Sequence, residues 1–265
     1  MTQILANYTP AETHLIIESA NAQLKDLMKY TFMDLLLKRV LQTREIRRQA
    51  HRNDSVRSYM YVVAGKNFLK YKPQRHEEIF LSPYFTSPQI EILFRHLISM
   101  GFQNSGGAKR YVQKKIMSSP AMNGIFDNGF FQRWLGGLSY TTLGLDLRKK
   151  LSSEITMLEN TLPDLIVLDK EKALEILLSI KGNIFLLKNL DFELLKLIDS
   201  QLLEEFNRQR NSDTGCYGCG DWDYYDRYGD TFDTDYDSVD HSFGDSGCSS
   251  CSGCGGCSGC GGCGD

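Results

Sequence analysis

Apolar side chains recur every three or four positions through most of residues 1–206, which is the pattern of amphipathic helices. The segment from Thr9 to Glu12 reads Thr-Pro-Ala-Glu. It predicts a helix start, because Thr can cap a helix, Pro suits the first helical position and Glu completes a capping box. We expect this helix to continue to about Ala20, a second to cover residues 22–30 and a third to begin at Thr31.

The pattern changes after residue 41, where two segments are typical of β-strands. These segments are residues 42–47 and 56–63, and the polar residues 52–55 between them predict a turn. Three short helices followed by a hairpin is the order of a winged helix, a helix-turn-helix variant with a β-wing. Residues 1–66 are therefore predicted to form a winged-helix-like unit.

Residues 67–206 are predicted to form a helical domain, and residues 64–85 are expected to connect its helices to the first unit. The order of its elements suggests a second, degenerate winged-helix-like unit followed by C-terminal helices. Together the two units predict a mainly α fold with a small β-hairpin. The predicted helices start at Ser87, Ala108, Thr141 or Thr142, Asp169 and Asp191, and the first four end at about Gly101, Met117, Asn160 and Gly182.

No apolar periodicity continues beyond Arg210. Aspartate alternates with Tyr, Trp and Phe from Asp221 to Phe243, and Gly, Ser and Cys follow to the end of the chain. Segments of this composition bury too little apolar surface to offset the entropy lost on folding. We therefore predict that residues 207–265 form a tail that is disordered without a ligand.

Charge divides the chain in the same place. Residues 211–265 contain eleven Asp and one basic residue, Arg227, which gives −10. The whole chain carries −3, so residues 1–210 carry +7. A basic body tied to an acidic tail points towards partners. The acidic–aromatic segment is interpreted either as a nucleic-acid mimic that folds back on the basic body or as a solubilising linker.

All eight cysteines lie in the tail, and the last six recur at every third position with only Gly and Ser between them. Thiolates are soft ligands, and C-x-x-C spacing lets two sulfurs converge on one tetrahedral ion. The candidate ligands of Zn²⁺ or Cu⁺ are Cys216, Cys219, Cys248, Cys251, Cys254, Cys257, Cys260 and Cys263. The alternative is a flexible thiol-rich tail without a metal.

Basic residues cluster at the end of the third predicted helix and in the hairpin. In a DNA-binding winged helix these elements contact the major groove and the phosphates. The candidate nucleic-acid-binding residues are Lys38, Arg39, Arg44, Arg47, Arg48, Arg52 and Arg57. The alternative is a solvated basic face on a fold used for protein contacts.

Signatures of catalysis are mostly missing from the sequence. The run from Gly101 to Gly107 has the glycine spacing of a phosphate loop but lacks the Lys-Ser/Thr of such loops. There is no G-x-S-x-G motif, and residues 1–215 hold no cysteine nucleophile. We therefore expect a protein without enzymatic activity.

Neither a membrane span nor a secretory signal is visible in the sequence. No stretch approaches the roughly 18 apolar residues that a span needs. The first residues lack the basic and apolar regions of a signal peptide. These observations predict a cytoplasmic location, in which thiols stay reduced.

Three segments, Tyr8–Glu12, Ser82–Tyr84 and Cys248–Cys263, resemble those of a family of uncharacterised bacterial proteins. Proteins of that family have a helical body and a low-complexity Gly/Cys-rich C-terminal tail. The resemblance implies the same division into body and tail. It implies no activity, cofactor or catalytic residue.

Taken together, the sequence favours a non-enzymatic interaction protein. Its body would bind a protein partner, and its tail would present thiols to a soft metal. One alternative is a DNA-binding regulator that senses metal or redox state through the tail. Another is a substrate of a thiol-modifying enzyme.

Overall fold

The computed structural model describes residues 4–49, 57–127, 138–188 and 231–239. It is mostly helical and contains a three-stranded antiparallel sheet, so the prediction of a mainly α fold with a small hairpin is confirmed. Short 3₁₀ helices connect the larger elements at Ile4–Asn7, Ser19–Asn21, Phe68–Lys70, Pro120–Met122 and Lys181–Leu186.

Helix α1, Pro10–Glu18, starts with the predicted capping box. The backbone N–H of Glu12 donates to Thr9 Oγ1, and the backbone N–H of Thr9 donates to the Glu12 carboxylate at 2.8 Å. These two bonds satisfy amides that have no partner within the helix. Helix α1 ends slightly earlier than Ala20 and buries Leu15 and Ile16.

Helix α2, Leu24–Leu37, replaces the two helices that were predicted over residues 22–30 and from Thr31. Thr31 is not a cap, because its hydroxyl donates back to the carbonyl of Leu27 at 2.8 Å, as an interior helical threonine does. The three-helix order that motivated the winged-helix interpretation is therefore wrong in this detail. The winged helix itself stays a prediction.

The predicted hairpin is present as β1, Leu41–Arg48, and β2, Arg57–Ala64. Their antiparallel register pairs Leu41 with Ala64 and Arg48 with Arg57. A third strand, β3, Ile92–Leu93, pairs with β2 and joins the hairpin to later parts of the chain. The predicted boundary near residue 66 is thus bridged by strand pairing.

The middle of the chain departs most from prediction. Helix α3, Glu78–Thr86, lies partly inside the predicted connection over residues 64–85. Helix α4, Phe94–Ser105, starts later than the predicted Ser87, because Ser87 ends α3 by donating its N–H to the carbonyl of Pro83.

Helix α4 also ends later than predicted, and the reason lies in its glycines. Gly106, in the left-handed conformation, caps the end of the helix. Gly101 lies inside the helix, and a Cβ at this position would lie 2.5 Å from the Phe80 ring. Its lack of a side chain therefore serves packing and not termination.

Helix α5, Ala108–Arg110, continues as a π-helix over Tyr111–Ile116. Helix α6, Thr142–Leu168, starts at the predicted cap, with the Gly144 N–H donating to Thr141 Oγ1 at 3.0 Å. It runs past the predicted end at Asn160 to Leu168.

Helix α7, Lys170–Ile180, is capped by Asp169 as predicted, and a 3₁₀ turn containing Gly182 follows it. The helix predicted from Asp191 lies outside the described residues.

Residues 231–239 form one further helix, here called the tail helix. This helix lies within the segment that was predicted to be disordered without a ligand, and the rest of that segment lies outside the described residues. Its side chains Phe232 and Tyr236 belong to the same apolar core as Leu5, Phe32 and Leu187. The body and this part of the tail therefore share one core.

Candidate interaction site

Three phenylalanines from successive helices form the wall of an aromatic socket. Phe32 comes from α2, Phe80 from α3 and Phe94 from α4. The Phe32 ring lies 5.5 Å from Phe80 and 5.2 Å from Phe94, centroid to centroid, in edge-to-face arrangements. Such geometry is favourable because the positive edge of one ring meets the negative face of another.

The tail helix inserts Phe232 into the aromatic socket. Its ring centroid lies 6.0 Å from Phe32, 6.3 Å from Phe80 and 6.4 Å from Phe94. The side chain has 0% exposure. A side chain from a segment expected to be solvated is thus as buried as the central core.

The apolar face of the tail helix continues beyond Phe232. Tyr236 and Val239 follow at positions i+4 and i+7, which lie on one side of a helix. The Tyr236 ring meets Phe102 of α4 edge to face at 5.5 Å, and only 6% of Tyr236 is exposed. Aromatic residues of both partners therefore line the contact along its length.

Two ion pairs flank the apolar face. Lys29 Nζ of α2 lies 2.8 Å from Asp233 Oδ2, and Lys25 Nζ lies 3.2 Å from Asp237 Oδ1. Lys25 and Lys29 are four positions apart on α2, and Asp233 and Asp237 are four positions apart on the tail helix. Each set therefore recurs about once per helical turn. Because the pairing order is reversed between the two helices, they run in opposite directions.

The contact shifts the pKa of ionisable groups on both the body and the tail helix. Partial burial works against the charge on Lys25, but the hydrogen bond from its ammonium to Asp237 and the nearby carboxylates raise its pKa. Burial raises the pKa of Asp235, and the positive charge of Arg95 opposes that shift. The acidic helix and the basic surface of α2 are therefore complementary.

A second cluster lies inside the body, where two buried carboxylates hold the ammonium of Lys38. Lys38 Nζ lies 2.5 Å from Asp34 Oδ2 and 3.0 Å from Glu77 Oε1. The Tyr71 hydroxyl donates to the same Glu77 oxygen at 2.6 Å. Only 15% of the Lys38 side chain is exposed, and its ammonium links the end of α2 to the start of α3.

Burial and pairing act together on this cluster. Burial raises the pKa of Asp34, although Lys38 opposes the shift. Burial disfavours the charge on Lys38, but Asp34 and Glu77 raise its pKa well above the usual value. Burial likewise works against ionised Glu77, yet the charge of Lys38 and the hydrogen bonds from the Tyr71 hydroxyl and the Gln74 backbone lower its pKa. The cluster is thus held together by the charge on Lys38.

His76 lies beside this cluster and is also buried. Its Nε2 is 3.4 Å from Thr9 Oγ1, and its backbone carbonyl accepts a bond from the Tyr111 hydroxyl at 3.1 Å. Burial lowers the pKa of His76 below its usual 6.5. The neutral imidazole is therefore the form that fits the folded protein.

The remaining predicted nucleic-acid-binding residues are spread out. Arg39 is half-buried with a φ of 53°, Arg44 pairs with Glu91 at 2.9 Å and Arg47 is exposed on β1. Arg52 lies outside the described residues. The structure describes only the paired backbones of Arg48 and Arg57. Nucleic-acid binding by this surface stays a prediction.

The eight predicted metal ligands, from Cys216 to Cys263, lie outside the described residues. Among the residues that the structure does describe, no group of three or more His, Cys, Asp or Glu is arranged to hold a metal. In the sequence, Cys216 and Cys219 precede the tail helix and the other six cysteines follow it. Metal binding by these thiols also stays a prediction.

Sequence reasoning noticed the acidic and aromatic residues of the tail but missed their pairing with α2 and α4. The missed residues are Lys25 and Lys29 on the body. A local signal was present, because the aromatic and carboxylate residues of 231–239 each repeat at helical spacing. That spacing predicts an amphipathic helix but not its docking site.

No protein-family model matches the chain, and neither the curated proteins nor the solved structures give a significant match. The resemblance to an uncharacterised bacterial family stays a prediction. In residues 4–49, 57–127, 138–188 and 231–239, no helix has the length and apolarity to cross a lipid bilayer.

Proposed function

We propose that the body is a non-enzymatic docking module for a short acidic–aromatic helix, and that the tail helix is its tethered occupant. The observation that carries the proposal is the full burial of Phe232 among Phe32, Phe80 and Phe94. Helix-in-groove recognition commonly uses anchors at i, i+4 and i+7, as this contact does.

Apolar burial supplies most of the stabilisation in this proposal. Burying one phenylalanine such as Phe232 contributes about 1.5–3 kcal/mol, and favourable ring contacts add to it. The pairs made by Lys25 and Lys29 are partly exposed and contribute at most about 1 kcal/mol each. The rings therefore set the affinity, and the ion pairs set the direction and register.

The tail helix depends on the body for its structure. It has nine residues, and an isolated helix of that length is marginal in water. A segment of another protein with aromatic residues at i and i+4 and carboxylates at i+1 and i+5 fits the same surface. Such a partner competes with an occupant whose effective concentration, for a segment of the same chain, is about millimolar.

The second part of the proposal concerns the thiols on both sides of the tail helix. The repeated C-x-x-C spacing supports binding of a soft metal such as Zn²⁺ or Cu⁺. Intact mass under native and denaturing conditions tests this part. Added metal mass that is lost on denaturation supports it, whereas a covalent shift that survives denaturation supports modification of the thiols instead.

The docking proposal is tested with a fluorescent peptide of residues 229–241 and the full-length protein. The peptide should bind the Phe232→Ala protein, whose own helix no longer fills the socket, and should bind the wild-type protein far more weakly. The matched controls are a peptide in which Phe232 is replaced by Ala and a protein with the exposed Ser238→Ala change. Equal binding to the wild-type and Phe232→Ala proteins, or none to either, contradicts the proposal.

A further inference from the structure

A basic cleft of about 750 Å³ lies on the body, between the start of α3 and the helix formed by residues 108–116. It does not include the tail helix, Lys25 or Lys29. The residues around it are Arg75, Glu78, Gly106, Lys109, Arg110, Gln113, Lys114 and Lys115.

The charge of the cleft is strongly one-sided. Five of the eight residues that line it are cationic, and Glu78 is the one carboxylate in that lining. Within the described parts of the chain, the four residues Arg75, Arg110, Lys114 and Lys115 form no ion pair. Cations gathered in a concave site repel one another, so a multiply charged anion stabilises them.

The backbone holds the cationic side chains on the same side. Tyr111 and Ile116 are five positions apart and both fully buried, which fits the wider π-helical turn between them. The Met117 N–H donates to the Val112 carbonyl at 2.9 Å in the same five-residue pattern. With Tyr111 and Ile116 inward, Lys109, Arg110 and Lys114 are exposed and Lys115 is half-buried.

A glycine completes the cleft. Gly106 has a φ of +70°, and a Cβ at this position would lie 2.6 Å from Arg110 Cδ. The Arg110 side chain therefore lies directly over the glycine. Gly101, which gave the sequence its phosphate-loop spacing, is inside α4, so the cleft is not a phosphate loop of the usual kind.

The chemistry of the lining selects a class of ligand. A cleft of this volume is within the range of small-molecule sites, and its cations suit phosphate oxygens. The lining has no aromatic ring on which a base could stack. We propose that the cleft binds the phosphate chain of a small polyphosphate, either inorganic or part of a nucleotide, and makes no base-specific contact.

The test is isothermal titration calorimetry of the full-length protein with sodium tripolyphosphate, ATP, GTP and orthophosphate. Tripolyphosphate and the two nucleotides should bind with similar affinity, orthophosphate should bind much more weakly, and added salt should weaken all of them. Clearly tighter binding of both nucleotides than of tripolyphosphate identifies the nucleotide as the source but contradicts recognition through the phosphates alone.

Single substitutions in the lining test whether the ligand binds in this cleft. Arg110→Gln and Lys114→Gln should each lower the affinity for tripolyphosphate about fivefold or more, because each removes a charged contact. Glu78→Gln should raise this affinity about two- to threefold, because it removes a negative charge that repels the ligand. Misfolding cannot produce such a gain. Lys149→Gln, on a different exposed surface of α6, is the matched control and should change nothing.

Three further results overturn the inference. The first is no tripolyphosphate binding at low salt. The second is binding that Arg110→Gln, Lys114→Gln and Glu78→Gln leave unchanged. The third is binding of a short DNA duplex that depends on Arg110 and Lys114 and that tripolyphosphate does not compete, which would make the cleft part of a nucleic-acid surface.

Discussion

Lys29 Nζ lies 2.8 Å from Asp233 Oδ2, although the two residues are 204 positions apart in the chain. The contact fixes the tail helix against α2 beside the aromatic socket. About a fifth of the Lys29 side chain and a third of the Asp233 side chain remain exposed, 22% and 31%. Solvent therefore screens the pair, and its energetic contribution is small.

The Lys29–Asp233 pair can be measured by a double-mutant cycle across the complex. The protein carries Phe232→Ala, with or without Lys29→Ala. The peptide of residues 229–241 carries either the native Asp233 or Asp233→Ala. We expect a coupling energy of about 0.2–1 kcal/mol that decreases with added salt. A coupling of zero at low salt would contradict the contribution of this pair to docking.

Gly101 gives a second prediction. Glycine in a helix normally costs about 0.5–1 kcal/mol relative to alanine, so Gly101→Ala would ordinarily stabilise α4. Here the new Cβ would lie 2.5 Å from the Phe80 ring, which also lines the aromatic socket. We expect a net loss of about 1–3 kcal/mol in the free energy of unfolding.

Urea denaturation measures the effect of Gly101→Ala. The control is Gln103→Ala, an exposed position on the same helix, which should change the stability by no more than about 0.5 kcal/mol. A Gly101→Ala protein as stable as the wild type would mean that Phe80 is not confined as described.

Lys38 gives a third prediction. Lys38→Met leaves Asp34 and Glu77 buried without their cation, and we expect a loss of about 3–5 kcal/mol in the free energy of unfolding. Adding Glu77→Gln to Lys38→Met should recover part of this loss. Lys150→Met is the control, because Lys150 makes only an exposed pair with Asp146 and should contribute less than about 1 kcal/mol.

If Lys38→Met behaves like Lys150→Met in chemical denaturation, the buried cluster does not exist in solution. Lys38 would then be accessible to a ligand such as a nucleic-acid phosphate.

The sequence predicted local features well and long-range features poorly. The capping box at Thr9 and Glu12 was predictable because every partner lies within three residues. Thr31 misled because a hydroxyl that can cap a helix can equally bond back to the turn before it. Gly101 misled because its reason, the Phe80 ring, belongs to another helix.

The aromatic socket was beyond sequence reasoning for the same reason. Composition alone describes the tail as too polar to fold by itself. The tail helix is ordered because Phe32, Phe80 and Phe94 bury Phe232, and no local pattern shows that those rings come together. The cleft residues were likewise scattered between Arg75 and Lys115 in the sequence.

Acid should destabilise the fold through His76. Because burial lowers the pKa of His76 below 6.5 in the folded state, the unfolded chain binds the proton more tightly. The stability that is present above about pH 6.5 is then lost as the pH falls through the folded-state pKa. Burial lowers the pKa of His14 as well, which adds to the loss in the same direction.

The measurement is the free energy of unfolding from about pH 8 to about pH 5 for the wild type and His76→Gln. The curves are normalised at the upper end, where the wild-type imidazole is neutral in both states. We expect a shallower decline for His76→Gln, with a remainder from His14. Identical slopes would mean that His76 is not buried in its neutral form.

The most direct test of the docking proposal is hydrogen–deuterium exchange of the backbone amides in residues 231–239 of the intact protein. A nine-residue helix protects its amides poorly when alone, so protection reports docking. We expect slow exchange in the wild type and in Ser238→Ala, and fast exchange in Phe232→Ala. Fast exchange in the wild type, or protection that survives Phe232→Ala, would contradict the account.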